Sequence, residues 1–587
     1  MNYKDTLNLP STKFPMKANL PQREPDILKF WDTINLYKKI RDKHAESDNY
    51  ILHDGPPYAN GDIHIGHAVN KVLKDIVTKS KTFSGFNAPF IPGWDCHGLP
   101  IELMVEKKYG KSKFKDNKNA FRKACREYAS KQINKQKIDF IRLGVVADWE
   151  NPYTSMDKDF EASVVKSFSS ILKNNHIYHG SKPVHWCIES ESALAEAEVE
   201  YKDLVSDAVD ILFKISDQNK FKKIFSLEDL KGDIYCCIWT TTPWTLPANQ
   251  AIAIGSNIDY VLVKIKDKHV IIAEDLVDNF FEKALDEIAP KDFIKKFTGD
   301  SLLGFQTEHP FYNKVVPIIT AAHVTTENGT GLVHIAPGHG QDDYNLGRSN
   351  DLPVYSPVDD RGCLARTADL PEEQQISDEL VGKQILPKNG KSEANEAVIE
   401  VLKADNKLAF QESYEHSYPH CWRSKSPVIF RAMDQWFVNI DHDGFRDKAL
   451  AAIDSINWVP GWGRNRIEGA VQSRPDWCIS RQRSWGVPIP AFYDAQGEPI
   501  LDHQIVRNTA DLVQKNGSNI WFERELTDLW AAVKPSDWNG PEAEGKSTDT
   551  LDVWIDSGSS SRSVLMQRDE LGRPNAEAGT HDSWQAD

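Results

Sequence analysis

No run of about eighteen consecutive apolar residues occurs, the length a membrane-spanning helix needs, so a helical membrane protein is not expected. The opening stretch Met1–Pro25 lacks an apolar leader core; it is polar and punctuated by proline, and a cytoplasmic address follows as the default. No Cys-x-x-Cys pair is present. The eight cysteines are scattered without the spacing of a disulfide framework, which suits a reducing compartment. No internal repeat or low-complexity tract occurs, which argues against a solenoid or a fibre. Net positive charge is lacking too: at -16 the chain should not bind polyanions indiscriminately. An RNA partner would need local basic surface. The best stretch is Lys107–Lys137, where only Asp116 and Glu127 oppose many Lys and Arg, although a solvated helical face gives the same pattern.

What is present is ordinary globular sequence, 40% hydrophobic and 27% charged. At 587 residues it is too long for one core and suggests roughly three or four units. Asn49–Leu52 reads as a short buried strand. His53–Gly61 is turn chemistry, with Asp-Gly, Pro-Pro and Asn-Gly. Ala68, Val69, Val72, Leu73, Ile76 and Val77 then recur at helical spacing. Ala88–Ile91 reads as a second strand ending at Pro92-Gly93-Trp94-Asp95. Strand, helix, strand opens a parallel α/β sheet, whose ligands bind beyond the strand C-termini. Phe121–Phe140 reads as helix. From about residue 205 short β-rich runs take over: Ile234–Trp239, Ala251–Ile254, Tyr260–Ile265, His269–Ala273 and Val315–Ile319, the pattern of a β-barrel or mixed β domain. Mixed α/β sequence returns around 405–430. The expected class is therefore α/β: a Rossmann-like parallel-sheet domain interrupted by a β-rich, barrel-like domain. The expected divisions are an extension at 1–45, a first half at 46–204, the insertion at 205–405 and a second half at 406–587.

His64-Ile65-Gly66-His67 stands where the Gly/Pro loop feeds a helix. A helix N-terminus offers free N–H groups and the positive dipole end, which favour phosphate. His64 and His67, three apart, can point from one face. Their N–H groups can meet phosphate oxygens as charge grows in a transition state. Gly66 lets a flat ring approach the backbone. Alone, the tetrapeptide is also what chance puts at a helix start; the loop before it and the helix after it favour function.

In this setting the segment His53-Asp54-Gly55-Pro56-Pro57-Tyr58-Ala59-Asn60-Gly61, running into His64–His67, resembles class I aminoacyl-tRNA synthetases. Gly93–Glu102, Ala18–Pro25, Ser480–Pro488 and Asp552–Ser559 make the resemblance narrower, to isoleucyl-tRNA synthetases of bacterial type, almost end to end. The resemblance implies that His64 and His67 contact the phosphates of ATP and that Gly66 lies against its adenine. It implies that Asp95 accepts the ammonium of isoleucine, that Gly55 and Pro56 form part of the side-chain pocket, and that Trp485 is one wall. A carboxylate for the ammonium and an apolar slot are what an amino acid needs. A turn-forming Asp95 and a core Trp485 are the plainer readings of those two residues. The implied reaction is attack of the isoleucine carboxylate on the α-phosphorus of ATP, with magnesium accompanying ATP, then transfer to tRNA(Ile).

The β-rich part carries Trp239-Thr240-Thr241-Thr242-Pro243-Trp244-Thr245-Leu246-Pro247-Ala248-Asn249 and the Gly-rich loop from Gly329 to Asp343. Threonines at a strand end offer hydroxyls to a ribose, a carbonyl or a water, though a β-propensity run capped by a turn looks alike. The resemblance implies an editing pocket that hydrolyses valyl-tRNA. There Thr240, Thr241, Thr242 and Asn249 are lining residues, His334 excludes isoleucine, and Asp343 binds the ammonium. Asp342 is the adjacent competitor; the family spacing of nine from His334 selects Asp343. No nucleophile triad is evident, so the expected nucleophile is a positioned water.

Two departures from the family stand out. Cys187-Ile188-Glu189-Ser190 and Cys421-Trp422-Arg423-Ser424 occupy positions where relatives carry zinc knuckles. Two Cys and two Ser make a poor tetrahedral site, so no zinc is expected. The family also continues into a Lys-Met-Ser-Lys-Ser loop and an anticodon-binding domain, which these 587 residues do not include. The expectation is a monomeric N-terminal portion, impaired in activation. Alternatives are a chain active only as an aminoacyl-tRNA deacylase and a non-catalytic tRNA-binding paralogue.

Overall fold

The β-rich runs fold where their patterning places them. Ile234–Thr240, Ala251–Ile254, Asp259–Ile265, Lys268–Ala273 and Val315–Thr320 are strands in the computed structural model, each within one residue of the sequence reading. The structure describes residues 3–8, 12, 17–114, 117–285, 289–290, 293–367, 370, 372–386, 392–566 and 586. Asp116 lies outside them. The chain divides into one unit of Met1–His176 with Arg483–Asp587 and another of Ile177–Gln482.

In the Ile177–Gln482 unit the largest sheet has six strands. Their spatial order is Lys295–Thr298, Asp259–Ile265, Lys268–Ala273, Ile234–Thr240, Val199–Lys214 and Leu408–Cys421. The last two are long antiparallel neighbours, registered from Leu408 opposite Ile211 to Cys421 opposite Val199. Ile234–Thr240 and Lys268–Ala273 run parallel. A second sheet orders Gln306–Glu308, Val315–Thr320, Ala251–Ile254 and Leu332–Ile335. Every residue of Ala251–Ile254 is buried, as a strand covered on both faces requires. Its partner register sets His334 opposite Ile252. Apolar side chains such as Ile238, Ile271, Tyr260 and Phe280 fill one core, each contributing roughly 1.5–3 kcal/mol by leaving water. Among the described residues these sheets are open, mixed parallel and antiparallel.

In the other unit the two expected strands are replaced. Asn49–Leu52 contributes only a parallel bridge from Asn49 to Asn87. Ala88–Ile91 forms no strand, and the parallel pair is Gly93–Trp94 with Tyr153–Thr154. Pro89 and Pro92 flank Phe90 and Ile91 and remove the amides a ladder would need. The helix expected from the spacing of Ala68 to Val77 forms over Ile65–Phe83, with part of its apolar stripe outward. Val69, Leu73 and Ile76 face solvent, while Lys71, Asp75 and Thr78 are buried. Its polar face can be buried because each group there finds a partner. Asp75 receives Lys79 at 2.5 Å and the Val146 amide at 2.9 Å; Lys79 also reaches the Gly144 carbonyl at 3.0 Å. The helix Lys118–Arg142 is capped by Asn117, whose side chain accepts from the Ala120 amide at 2.9 Å. It buries Phe121, Cys125, Ala129, Ile133 and Phe140 at helical spacing and leaves Lys123 and Lys131 exposed. Among the described residues no helix is long and apolar enough to cross a membrane.

Candidate functional site

The loop His53–Gly61 is held by its ends. Tyr58 and Asp95 form a parallel bridge, with the Ala59 amide on the Asp95 carbonyl at 2.8 Å and the Asp95 amide on the Pro57 carbonyl at 3.0 Å. The Tyr58 hydroxyl donates to the His97 carbonyl. Gln136 braces the loop through the Tyr58 and Gly61 carbonyls at 3.1 and 3.0 Å. Asp54 is buried and binds both Lys71 and Lys74, accepts the Gly93 amide at 3.2 Å, and lends its carbonyl to the Tyr153 hydroxyl at 2.6 Å. Gly55 is exposed, Pro56 is half-buried, and the Gly55 carbonyl takes Lys74 at 3.1 Å.

His64 is the N-cap of Ile65–Phe83. Its Nδ1 accepts from the Gly66 amide at 3.1 Å, and the Nδ1 of His67 accepts from the His64 amide at 3.3 Å. The rings stack with centroids 3.9 Å apart. A Cβ on Gly66 would lie 2.9 Å from His64 Cε1, so the ring that approaches this glycine is the protein's own imidazole. An Nδ1 that accepts leaves the proton of a neutral imidazole on Nε2. Both rings therefore present Nε2–H donors at the helix start, and two of the amides expected to be free for an anion are already used. Burial, then the nearby His64 and Lys71, hold the His67 pKa below its ordinary value.

Asp95 follows the strand Gly93–Trp94 and accepts the Ser155 hydroxyl at 3.2 Å. Burial first, then the charge of Asp556, push its pKa up. His97 lies between Asp556 and Glu161, with Nδ1 2.7 Å from Asp556 and Nε2 3.6 Å from Glu161. Burial alone would lower the His97 pKa; Asp556 and Glu161 outweigh it and push the value up to about 9. Glu161 also takes Arg126 at 2.9 Å and the Ser518 amide at 2.7 Å. Burial opposes its ionisation, but His97 and Arg126 hold its pKa down at about 2. Trp485 is wholly buried beside this network, edge-on to His97 at 4.8 Å, its indole N–H on the Cys96 carbonyl at 2.6 Å. It packs as a core tryptophan. The structure thus gathers Gly55, Pro56, His64, Gly66, His67, Asp95 and Trp485 in one unit. Sequence reading missed Asp54, Lys71 and Lys74. The signal was there: Lys71 and Lys74 stand four and seven residues after His67, on its helix face.

The second cluster lies in the Ile177–Gln482 unit. Ile234–Thr240 ends on Thr240, and a short helical turn Pro243–Ala248 follows. Thr240 Oγ1 lies 3.2 Å from Thr242 Oγ1, and Thr242 Oγ1 lies 3.4 Å from Thr245 Oγ1. Thr245 donates to the Thr242 carbonyl at 2.9 Å and lies 3.0 Å from His334 Nε2. A chain of hydroxyls thus runs from Thr240 to His334. Thr245 was not singled out from the sequence; its position one helical turn after Thr242 was the clue. Thr241 is half-buried beside it. Asn249 is fully buried, donating to the Ala251 carbonyl at 2.8 Å. Burial pushes the His334 pKa down to about 4, with His339 adding to the effect. Asp343 accepts the Ala336 amide at 2.8 Å, and burial pushes its pKa up to about 6. Asp342 is exposed. Gly338 lets this loop close, since a Cβ there would meet the Tyr355 carbonyl at 2.0 Å.

Cys187 and Cys421 share a buried cluster; Cys187 Sγ lies 3.6 Å from Ser424 Oγ and 3.8 Å from Ser426 Oγ. Its hydrogen bond with Cys421 lowers the Cys187 pKa and raises that of Cys421. Among the described residues no three His, Cys, Asp or Glu side chains group as metal ligands.

The family model for tRNA synthetases class I (I, L, M and V) matches residues 26–577. An isoleucine–tRNA ligase of Francisella philomiragia is 48% identical over 566 residues, 96% of this chain and 58% of that protein. One of Francisella tularensis subsp. tularensis is 48% identical over 576 residues, 98% of this chain and 59% of that protein. The chain thus spans somewhat under three-fifths of the length of these relatives. A solved LeuRS–tRNA–LeuAMS complex from Agrobacterium radiobacter K84 is 15% identical over 95% of this chain and 60% of that one, with a TM-score of 0.37, too slight a likeness to carry an argument.

Proposed function

This chain belongs to the class I tRNA synthetases of the I, L, M and V group, and on that premise we propose that it is the isoleucine-activating and editing portion of an isoleucine–tRNA ligase. The observation that carries the reading is 48% identity to isoleucine–tRNA ligases across nearly the whole chain. The geometry of the first cluster is compatible with it. His64 and His67 aim two Nε2–H donors outward from a helix N-terminus, where the α- and β-phosphates of ATP would gain negative charge as pyrophosphate leaves. Asp95 offers a carboxylate for the ammonium of isoleucine, with Gly55 and Pro56 at the side-chain slot and Trp485 backing it from the core. The positive charge that Lys71 and Lys74 leave beyond Asp54 favours an anion above the helix. Catalysis there is orientation and charge stabilisation, with magnesium arriving on ATP. We read this unit as Rossmann-like. The partners are isoleucine, ATP and tRNA(Ile), bound by a monomer in the cytoplasm.

The second cluster is the editing site of a barrel-like domain spanning about 205–405. One methylene separates isoleucine from valine and gives only about 1–3 kcal/mol of discrimination; this pair of amino acids is the usual illustration of that limit and not a result of this structure. Thr240, Thr241, Thr242 and Asn249 line the pocket, His334 bounds it, and Asp343 holds the ammonium of a mischarged valine. Water is the nucleophile. Isoleucine-dependent ATP–pyrophosphate exchange and valyl-tRNA hydrolysis, measured on this chain, test the reading. Detectable hydrolysis with weak exchange is expected. Hydrolysis that survives both Thr242→Pro and Asp343→Ala removes the editing assignment.

A further inference from the structure

The loop Ser484–Gly486 carries the buried Trp485, and two charged side chains hold most of its backbone. Glu102 stands in the first turn of the helix Leu99–Tyr109. Its Oε1 accepts two successive amides, Ser484 at 2.9 Å and Trp485 at 2.7 Å. Arg122, on the helix Lys118–Arg142, takes the carbonyls on either side. Its Nη1 donates to Ser484 at 2.6 Å and to Gly486 at 2.9 Å. The Trp485 carbonyl between them accepts the Gly98 amide at 3.0 Å. The main-chain polar groups of this short loop are thus satisfied from outside it, as buried backbone requires.

Arg122 is fully buried, and no part of the proposed mechanism uses it. Its Nε donates to Asn519 Oδ1 and its Nη2 to Ser518 Oγ, both at 2.7 Å. Ser518 passes its own proton to Glu161 at 2.9 Å, so the charge of Arg122 is answered one residue away. Burial pushes the Arg122 pKa down to about 10, with Glu161 opposing. A guanidinium carries enough donors in one rigid fork to serve all these oxygens, and a lysine ammonium does not. The ring of Trp485 is enclosed as well. The guanidinium carbons of Arg122 and Arg126 lie 5.4 and 5.3 Å from it, and His97 meets it edge-on. A ring packed so closely has no other rotamer to take, so it stands where its backbone stands.

We propose that Glu102 and Arg122 are positioning residues for isoleucine: they clip the Ser484–Gly486 backbone and so set where Trp485 stands. The indole N–H of Trp485 is bonded to the Cys96 carbonyl, next in the chain to Asp95. A slip of the loop therefore reaches the carboxylate for the ammonium as well as the wall of the pocket. Displacements of about 1 Å are enough to matter at such a site. The effect on isoleucine rests on the reading of this cluster as the activation pocket; the clip does not.

The full chain tests this, first without substitution. In hydrogen exchange resolved to single amides, Ser484 and Trp485 should exchange as slowly as the buried helices of their unit. Exchange at the rate of an open loop overturns the proposal, so a variant that fails to fold does not shield it. Next, the chain is labelled with fluorotryptophan, and the Trp485 signal is assigned by its loss in Trp485→Phe. In Glu102→Leu that signal should shift or broaden. The Kd for isoleucine, by calorimetry, should rise about tenfold, the scale of one charged hydrogen bond. The Kd for ATP–magnesium, which the proposed reading places at His64 and His67, should stay unchanged, as it would not if the whole unit had loosened. Glu102→Gln keeps an oxygen that can accept both amides and should recover the signal and most of the affinity. Arg122→Lys should resemble Glu102→Leu. Equal losses of isoleucine and ATP–magnesium affinity overturn the positioning role, and so does a Glu102→Leu chain with the parent's signal and affinity. A parent that binds no isoleucine removes the activation reading, while the exchange and the fluorine spectra still decide the clip.

Discussion

His97 and His334 are buried among different neighbours. In the unit that holds His64, buried charges sit in pairs: Lys71 on Asp54, His97 between Asp556 and Glu161, and Arg126 on Glu161. In the unit that holds His334, buried imidazoles keep company with hydroxyls, carbonyls and rings. One residue type therefore titrates in opposite directions. His97 is pushed up to about 9, while burial pushes His334 and His339 down to about 4 and His309 well below its ordinary value. Desolvation acts on all four; only His97 has carboxylates to reverse it. Under the proposed reading, ion pairs suit the ATP and amino-acid site, and a neutral pocket suits the editing site.

The largest effect should come from breaking a pair. Asp54→Ala leaves Lys71 buried without its counter-charge and should destabilise its unit by about 3–5 kcal/mol. Adding Lys71→Met should recover a large part of that loss. Urea unfolding of the parent, both single variants and the double variant reads the coupling. Strictly additive losses would break the contrast between the units.

The neutral pocket should yield less. Thr245→Val keeps the shape but strands the buried His334 Nε2 and removes a donor from the Thr242 carbonyl, a cost of about 1–3 kcal/mol. Hydrogen exchange confined to the Ile177–Gln482 unit checks it; a parent-like midpoint means the hydroxyl chain is not structural.

A smaller and more telling effect is pH. His97 has its folded pKa raised above 6.5, so its contribution is complete below 6.5 and is lost as pH climbs toward 9. His334 and His339 have theirs lowered to about 4, so their contribution is complete above 6.5 and is lost as pH falls toward 4. Asp210 and Asp343, both raised to about 6 by burial, partly offset that acid loss, being more favourable once protonated. Between pH 7 and 5 the His334 unit should therefore weaken modestly and the His97 unit should not; from pH 7 to 9 the His97 contribution should fade. Pulse-labelled hydrogen exchange in urea at the three pH values separates the units. Parallel losses in both would remove the comparison.

The sequence disclosed five strands of the β-rich unit to within a residue, because short apolar runs rich in Val and Ile, bounded by turn residues, have few other solutions. It disclosed the helix Ile65–Phe83 but not its buried face. The apolar stripe Val69, Leu73 and Ile76 was legible, but periodicity alone does not say which stripe is buried. Asp54, far off in sequence, gives Lys71 a partner and makes the polar face the inner one. The strand at Ala88–Ile91 failed for a local reason, prolines that empty the ladder, and Asn49–Leu52 was left with only its bridge to Asn87. At the sites, residue types and spacing named His64 and His67, and the family resemblance named Thr242 and His334. Thr245 was hidden because its part is to hold another side chain, and such contacts follow from packing.

The smallest effect on stability should be the sharpest on the first site. Gly66→Ala places a methyl 2.9 Å from His64 Cε1 and 3.0 Å from its Nδ1. The neighbour is an exposed side chain that can swing aside, so the helix need not move. Alanine is also the better helix former, by about 1 kcal/mol in a helix interior and less near an end. The thermal midpoint should then stay within roughly 2 °C of the parent or rise. Yet the swing breaks the bond from the Gly66 amide to His64 Nδ1, which fixes the Nε2–H tautomer, and frees the ring from its stack on His67. Affinity for ATP–magnesium, measured by calorimetry, should fall about tenfold, the loss of one oriented donor to a charged oxygen. An unchanged ATP affinity would mean that the order of the paired imidazoles is ornamental to binding. A large drop in midpoint would mean that Gly66 serves the helix rather than the ring above it.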